Sequence, residues 1–227
     1  MRPGRLDFGV LIVAEQRRLV AVGDIHGCLG KLEELLQRIP INWDRDVLIF
    51  LGDYIDRGPD SKGVLDLLIS LRELYGEHVI FLKGNHEAML LDYIKGFDRS
   101  FFLVNGGMAT LASYGVEPDA LDGFELPLEH LRFLEQLVLF HEAEDYFFVH
   151  AGVRPGVPLA NQLPEDMLWI RGEFIDSKYD WGKRIVFGHT VFSLPLIEEN
   201  KIGIDTGAVY GGRLTAVILP EVDFVFV

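Results

Sequence analysis

The sequence is poor in cysteine and in basic residues, and each shortage excludes a class of protein. Cys28 is the single cysteine among 227 residues. No disulfide can therefore form within the chain, and a reducing cytoplasm is the expected setting. Lysine and arginine number 21 against 35 acidic residues, which gives a formal net charge of −14. A basic surface for nucleic acid is therefore not expected.

Long apolar runs are also missing. No run reaches the ~18–20 residues of a transmembrane helix, so no membrane partner is expected. The apolar stretch "FGVLIVA" near the start is short and no small-residue cleavage site follows it. It predicts an early strand rather than a signal peptide. Hydrophobic residues make up 49 % of the chain, enough for a sizeable core, and the length fits one domain over residues 1–227.

Apolar runs alternate with helical patterns in the first part of the chain. The predicted strands are "LVAVGD" (Leu19–Asp24), "DVLIFL" and "HVIFLK". The predicted helices are "LGKLEELLQRI", "SKGVLDLLISLREL" with Ser61 as its N-cap, and a segment that contains "EAMLLDYI". This βαβαβ order predicts a parallel sheet with right-handed crossovers.

The rest of the chain has a different character. Residues 97–142 are predicted to form a mainly helical insertion, which the glycine-bearing turn "NGGMATLASYG" interrupts. The last third predicts short strands, which we assign to a second, mixed sheet packed on the first. Those strands are "DYFFVH", "RIVFGH", "KIGID", "LTAVILP" and "VDFVFV".

Polar residues concentrate in five loops, each directly after a predicted strand. "GDIHG", "GDYIDRG" and "GNHE" follow the first three strands, and "HAG" and "GHT" follow "DYFFV" and "RIVF". The carboxyl ends of parallel strands form the ligand crevice of open α/β sheets, so these loops can converge on one point. Together they offer Asp24, His26, Asp53, Asn85, His150 and His189 as ligands.

This mixture of oxygen and imidazole donors indicates a metal site. Without thiolate, it suits manganese, iron or zinc better than calcium, and manganese is favoured. Six ligands are too many for one tetrahedral ion but suit two ions that share a carboxylate. Two-metal sites with ions roughly 3.5–4 Å apart are typical of phosphate-ester hydrolases. One "GD" or "GNH" after a strand is commonly a turn or cap, but five such motifs in one chain favour the metal site.

These motifs resemble the PPP family of serine/threonine protein phosphatases, which lie within the calcineurin-like metallophosphoesterases. The family pattern GDxHG, GDxxDRG, GNHE, HAG and GH is present from Gly23 to Thr190. The resemblance implies an α/β fold of two mixed β-sheets in a sandwich flanked by helices. The region "GIDTGAVYGGRLTAV" stands where eukaryotic members carry "SAPNYC", so the chain looks like a compact bacterial or phage-type member.

The resemblance also implies which residues bind each ion. The first ion would take Asp24, His26 and Asp53. The second would take Asp53, Asn85, His150 and His189, so that Asp53 bridges the two ions.

The remaining site residues are expected to serve the phosphate and the leaving group. His86 is the candidate general acid, and the resemblance makes Asp56 the carboxylate that fixes it. Arg57 would hold phosphate oxygens with paired donors, together with Asn85. Arg171 in "LWIRGEF" is the best match for a second arginine. Arg154 and Arg213 are the alternatives, Tyr210 is a candidate lining residue, and Trp169 and Cys28 are interpreted as packing residues.

The reaction expected from these residues is hydrolysis by in-line attack of a dimetal-bound water, without a phosphoenzyme. The first hypothesis is a protein phosphatase for phosphoserine and phosphothreonine, with phosphotyrosine as a further candidate. The alternative is a dinucleoside tetraphosphate hydrolase, in which the insertion at 97–142 could supply an adenine pocket. A non-catalytic binding module is the third hypothesis, and the complete set of ligands argues against it. The expected partner is a phosphorylated protein or a small phosphorylated substrate.

Overall fold

The fold consists of two five-stranded sheets with helices on their outer faces. The computed structural model describes residues 18–117 and 124–227. The early strand predicted for "FGVLIVA" lies outside the described residues.

The strands and helices are short. The strands are β1 Leu19–Val22, β2 Val47–Phe50, β3 Val79–Phe81, β4 Phe140–Glu142, β5 Tyr146–Val149, β6 Arg184–Phe187, β7 Leu196–Ile197, β8 Lys201–Gly203, β9 Thr215–Leu219 and β10 Asp223–Phe226. The helices are α1 Leu29–Arg38, α2 Ser61–Tyr75, α3 Asn85–Ile94, α4 Arg99–Phe102, α5 Met108–Ser113, α6 Leu128–Glu135, α7 Pro164–Trp169 and α8 Gly172–Ile175.

The first sheet has the strand order β10-β9-β1-β2-β3. The strands β1, β2 and β3 are parallel, which confirms the predicted βαβαβ unit. Our assignment of "LTAVILP" and "VDFVFV" to the second sheet is wrong, because β9 pairs antiparallel with β1 and β10 pairs with β9. Every residue of β9 is buried, so its apolar pattern suits the middle of either sheet. Pairing with a strand almost 200 residues away in sequence decides its place.

The second sheet has the order β4-β5-β6-β8-β7 and is mixed, as predicted. The strands β5, β6 and β8 are parallel, whereas β4 and β7 pair antiparallel at the two edges. Strand β4 falls at the end of the stretch predicted to be mainly helical, about residues 97–142, so the helical part ends a few residues before 142. Phe140 and Glu142 are exposed and His141 is half-buried, and an edge strand of this kind has little apolar pattern to mark it.

Three buried clusters hold these layers together. One lies between the two sheets, where Ala21 and Ile49 share a cluster with Phe148 and Val186. The second joins the outer face of the first sheet to the helices α1, α2, α3 and α6. The third joins the outer face of the second sheet to α7 and α8 through Phe174. Strands that are covered on both faces have continuous apolar sequences, and for this reason they can be predicted from the sequence.

The start of α2 differs from the prediction in a way that matters for the site. Asp60, not Ser61, caps the helix, since its side chain accepts a hydrogen bond from the Gly63 backbone N–H. Ser61 is the first helical residue and is fully buried. Its hydroxyl accepts a hydrogen bond from the backbone N–H of Asp56 at 3.0 Å. Asp60 therefore caps the helix, while the next residue, Ser61, supports the "GDYIDRG" loop through Asp56.

The helical insertion bends over the end of the first sheet. A turn of π-helix at Leu103–Gly107 joins α4 to α5, and Gly106 inside it has a φ of 107°. Such a left-handed conformation strains any residue with a Cβ. The bend brings the Gly106 carbonyl to the backbone N–H of Arg57, at 3.1 Å. Among the described helices none is long and apolar enough to cross a membrane.

Candidate metal centre and active site

The six predicted ligands meet in one buried place. Their exposed fractions are all 5 % or less, although they come from five separate loops. Potential ligand atoms form two groups, within each of which all atoms lie within 4.8 Å of one another, and Asp53 belongs to both groups. The first group is His26, Asp53 and His86; the second is Asp53, His150 and His189.

Asp24 lies beside the two groups rather than in either of them. The third member of the first group is His86, which pairs with Asp56 and is the predicted general acid, not a predicted ligand. The Asp24 carboxylate accepts hydrogen bonds from the backbone N–H of His189, at 3.0 and 3.1 Å to its two oxygens. It lies close enough to Asp53 for the two charges to interact, so it stays a candidate ligand at the edge of the centre.

The backbone at this centre is strained. Seven non-glycine residues of the described chain have a positive φ, and five of them lie in the predicted site. They are His26, Asp53, Asp56, Arg57 and His189. Such conformations cost of order 1–3 kcal/mol each and persist only where the surroundings enforce them, most often at functional sites.

Two glycines make room for the carboxylates. A Cβ on Gly84 would lie 2.1 Å from Asp53 Oδ1, and a Cβ on Gly188 would lie 2.1 Å from Asp24 Oδ1. No side chain fits at such distances, because real Cβ contacts do not fall below about 3 Å. The glycines of "GNHE" and "GHT" are therefore needed for the close approach of each carboxylate.

Hydrogen bonds orient the histidines toward the centre. The Nδ1 atoms of His26 and His150 lie 2.8 and 3.0 Å from the backbone carbonyls of Ile55 and Leu51. Each Nδ1 donates there, so each Nε2 presents its lone pair to the centre, the arrangement found for histidines that bind metals. His189 Nε2 is buried and has no hydrogen-bond partner.

Two acceptor atoms also face each other here. His150 Nε2 lies 2.9 Å from Asn85 Oδ1. With its Nδ1 proton used elsewhere, Nε2 has only a lone pair to offer, as does the amide oxygen. His150 Nε2 and Asn85 Oδ1 cannot hydrogen-bond to each other when neither carries a proton. Together with the unpartnered Nε2 of His189, they are better explained as ligands of a shared cation.

The electrostatics of the centre also fit bound cations. Burial, with Asp205 and Asp53 nearby, raises the pKa of Asp24 well above its usual value. Burial and the charge of Asp53 raise the pKa of Glu87 to about 7. Burial opposes ionisation of Asp53 as well, but the surrounding histidines, His150 first, hold its pKa far below the usual value. Two divalent ions would relieve the repulsion among these buried carboxylates.

Burial sets the state of the ligand histidines. It lowers the pKa of His26 to about 3 and that of His189 to about 2, and it also lowers the pKa of His150. These imidazoles are therefore neutral at physiological pH, the form that coordinates metals. Donor set, tautomers and charge together fit a pair of divalent ions around Asp53.

His86 and Asp56 form a buried pair next to this centre. His86 Nδ1 lies 2.6 Å from Asp56 Oδ2, and His86 Nε2 lies 3.9 Å from Asp53 Oδ2. Burial alone would lower the pKa of His86, but the carboxylates of Asp53 and Asp56 outweigh it and raise that pKa above 6.5. The structure thus brings together the two residues that the sequence proposed as acid and partner.

The candidate phosphate-binding residues lie at the rim. Arg57 Nη1 is 2.6 Å from His26 Nε2, and its guanidinium lies over the Tyr210 ring at 5.7 Å. Arg171 is exposed, and its positive charge acts on both His150 and His189. Arg57 therefore contacts the centre directly, whereas Arg171 acts on it through its charge.

The two alternative arginines have other contacts. Arg154 donates to the carboxylates of Asp166 and Glu173, and Arg213 lies over the Phe226 ring at 4.6 Å. Arg171 stays the candidate for the second arginine, because its charge acts on His150 and His189.

Two supporting residues escaped the sequence interpretation. The Glu87 carboxylate accepts hydrogen bonds from the backbone N–H groups of Asp53, Tyr54 and Gly84, so it ties the second loop to the third. Thr110 of the insertion donates to Asp56 Oδ1 at 2.5 Å. Glu87 is the last residue of the "GNHE" motif, and that motif is the signal that could have identified it as a supporting residue. Thr110 is 54 residues from Asp56, and no local pattern connects the two.

Comparison with known proteins agrees with this geometry. The profile of the calcineurin-like phosphoesterases matches residues 17–205. The chain is 29 % identical to bis(5'-nucleosyl)-tetraphosphatase PrpE [asymmetrical] of Bacillus thuringiensis (strain Al Hakam), over 91 % of this chain and 92 % of that protein.

Solved structures show the same fold. A candidate diadenosine tetraphosphatase has a TM-score of 0.73 and 28 % identity, and the match covers 94 % of both chains. A serine/threonine phosphatase of Saccharomyces cerevisiae, at 16 % identity, shares the fold with a TM-score of 0.64 over 92 % of this chain and 78 % of that one. The family profile spans most of the sequence, and the chain belongs to the calcineurin-like phosphoesterases.

Proposed function

We propose that the protein is a bacterial cytoplasmic hydrolase of dinucleoside tetraphosphates, which it cleaves asymmetrically to a nucleoside triphosphate and a nucleoside monophosphate. The observation that carries hydrolysis is Asp53, shared by two groups of metal-ligand atoms. Relatives named for this activity match the chain over nine tenths of its length, and this supports the choice of substrate. Our first hypothesis from the sequence, a protein phosphatase, takes second place.

The ligand set would hold two divalent ions, for which we propose manganese, with iron and zinc as alternatives. When bound, such ions supply Lewis acidity and lower the pKa of a water molecule enough for attack at phosphorus near neutral pH. Asp53 would be the ligand that the two ions share, because it belongs to both groups. Arg57, Arg171 and Asn85 hold the phosphate oxygens, and the strained backbone at Arg57 fixes the position of that residue before substrate arrives.

Proton transfer is assigned to His86. The attacking water loses one proton to solvent as its oxygen forms a new bond to phosphorus, and the bond from phosphorus to the leaving oxygen breaks; a proton from solvent later restores His86. His86 Nε2 gives its proton to that oxygen, while Asp56 holds Nδ1 and stabilises the protonated ring. The hydrogen bond of 2.6 Å between His86 Nδ1 and Asp56 Oδ2 supports these two roles, His86 as the acid and Asp56 as its partner.

Hydrolysis of phosphoserine and phosphothreonine in proteins is the second candidate. The complete "GDYIDRG" and "GNHE" motifs favour it, since these forms are typical of the PPP branch. The same metal ligands and the same acid would serve both reactions. Only the groups around the centre can distinguish a nucleotide from a polypeptide.

A parallel assay separates the two functions. With manganese present, we expect kcat/KM for diadenosine tetraphosphate to exceed that for phosphoserine and phosphothreonine peptides by at least about tenfold. Chromatography should show ATP and AMP as the products. Preference for the peptides, or two molecules of ADP as the products, would contradict the proposed function.

A prediction concerns Thr110, which we propose as a positioning residue for Asp56. Thr110→Val removes the hydroxyl that donates to Asp56 Oδ1 and accepts from the Asp56 backbone N–H. We expect kcat for a phosphoserine peptide to fall about tenfold, as is usual for lost outer-shell partners. The free energy of unfolding should fall by about 1–3 kcal/mol, because buried polar groups lose a partner.

The conservative variant Thr110→Ser is the control. It keeps the hydroxyl and should restore most of kcat. Since Thr110 acts through Asp56 and His86, Thr110→Val should affect p-nitrophenyl phosphate less, because its leaving group needs little protonation. Equal losses of kcat on both substrates would mean that Thr110 only stabilises the fold.

A further inference from the structure

An aromatic surface lies beside the metal centre. Trp169, at the end of α7, is 36 % exposed, and Phe101 of α4 is 42 % exposed. The two rings pack with centroids 5.8 Å apart, and the Trp169 ring meets His189 edge-on at 6.2 Å. Contacts with Phe101 and His189 hold the indole in place, while a large part of it stays open to solvent. Interpreting Trp169 as a packing residue therefore explains only part of its environment.

The indole also lines a cavity. This cavity has a volume of about 670 Å³, and its wall includes Trp169, Arg171, Leu163 and Ile170. A volume of this size lies within the range of small-molecule sites, roughly 300–1,000 Å³. Because Trp169 contacts His189 on one side and lines the cavity on the other, it connects the cavity to the metal centre.

The charges of the cavity select what it can hold. Its wall carries three carboxylates, Glu165, Asp166 and Glu173, and two guanidinium groups. One of these, Arg154, is paired with Asp166 and Glu173. That leaves Arg171, on the side of the metal centre, as the cation for a phosphate. The rest of the wall offers the Trp169 ring, the apolar Leu163 and Ile170 and the carboxylate of Glu165, so it suits a neutral planar group better than further phosphates.

We propose that this cavity binds a nucleobase of the substrate, with Trp169 as the stacking surface and Arg171 on the adjoining phosphate. This inference rests on the proposed function and extends it to a nucleoside subsite. Every base has a π-face, so stacking on an indole tolerates any base and adds binding energy. The phosphate chain would then run from Arg171 to the centre around Asp53.

Substitution of Trp169 tests the subsite by kinetics. For Trp169→Ala we expect KM for diadenosine tetraphosphate to rise roughly 5- to 150-fold, the effect of losing one stacked base. The loss of kcat/KM on p-nitrophenyl phosphate, which has no base, should be at least about tenfold smaller. Trp169→Phe should recover much of the nucleotide binding. The matched control is Trp43→Phe, since Trp43 stacks on Tyr75 away from the site.

Fluorescence gives a readout that does not need turnover. With EDTA present, AMP should quench the emission of the wild-type protein and of Trp43→Phe, but not that of Trp169→Phe. Absence of quenching in the wild-type protein would overturn the proposal. So would equal losses on both substrates for Trp169→Ala, which would mean that Trp169 only supports His189.

Two outcomes separate this inference from the proposed function. If the wild-type protein does not cleave diadenosine tetraphosphate but AMP still quenches through Trp169, the proposed function fails and the nucleobase subsite stands. If the protein cleaves the dinucleotide while Trp169→Ala weakens only peptide hydrolysis, the cavity holds a polypeptide side chain, and the subsite is refuted.

Discussion

The Asp53→Asn variant is expected to lose nearly all activity on every phosphate ester, by roughly 10³-fold or more. Asp53 is 2 % exposed and belongs to both groups of ligand atoms. An amide in its place keeps the shape but removes the charge that two cations would share. Steady-state kinetics with saturating manganese measures the loss, and elemental analysis of the purified variant should find less than two ions per chain.

A second aspartate supplies the control for this prediction. Asp60→Asn makes the same chemical change at the N-cap of α2, where asparagine caps as well as aspartate. It should retain both the metal content and the activity of the wild-type protein. An Asp53→Asn protein that keeps two ions and at least a tenth of its activity would show that Asp53 is not the shared ligand.

Replacement of His86 by asparagine should separate metal binding from proton transfer. We expect the His86→Asn variant to retain its metal and to lose about 10²–10⁴-fold in kcat on phosphoserine, the usual contribution of a general acid. On p-nitrophenyl phosphate the loss should be smaller, because the leaving group is already a weak base. A dinucleoside tetraphosphate should behave like the aryl ester, since a polyphosphate is also a good leaving group.

The pH dependence tests the same role of His86. Its pKa is raised above 6.5 because Asp53 and Asp56 favour the charged form more than burial disfavours it. A general acid must be protonated, so kcat on phosphoserine should be high below this pKa and fall as pH rises through it. His86→Asn should abolish that basic limb, and the control His78→Asn should keep it. Equal losses on alkyl and aryl esters would argue against proton transfer by His86.

The candidate ligands could be proposed from the sequence because each of them stands shortly after a buried strand. The parallel strands β1, β2 and β3 end at one edge of their sheet, and β5 and β6 are parallel in the other. An apolar run followed by "GD" or "GNH" therefore predicts that the polar residue of the motif lies at the end of a strand, and it also gives the type of ligand atom. Asp53, Asn85 and His150 could be placed in this way without knowledge of the tertiary structure.

Features that depend on distant parts of the chain could not be predicted. The sheet to which β9 belongs is decided by pairing with β1, and apolar pattern does not encode a partner. Thr110 supports Asp56 only because the insertion bends at Gly106. His86 lies with His26 and Asp53, while Asp24 accepts hydrogen bonds from the His189 backbone, and this arrangement depends on side-chain directions rather than on the order of motifs.

The substrate also could not be predicted from the sequence motifs. "GDYIDRG" and "GNHE" describe how phosphate is held and attacked, and they serve esters of proteins and of nucleotides alike. The proposed nucleobase subsite uses Trp169, which comes from α7 and contacts Phe101 of the insertion only in the folded chain. The motifs therefore led to the right chemistry and left the choice of substrate to the surroundings of the centre.

Electron paramagnetic resonance during a manganese titration of the metal-stripped protein tests the central claim, a pair of ions joined by Asp53. The account predicts two Mn²⁺ per chain with an exchange-coupled spectrum, and loss of that coupling in Asp53→Asn. A wild-type protein that binds one ion, or two ions with independent spectra, would contradict it.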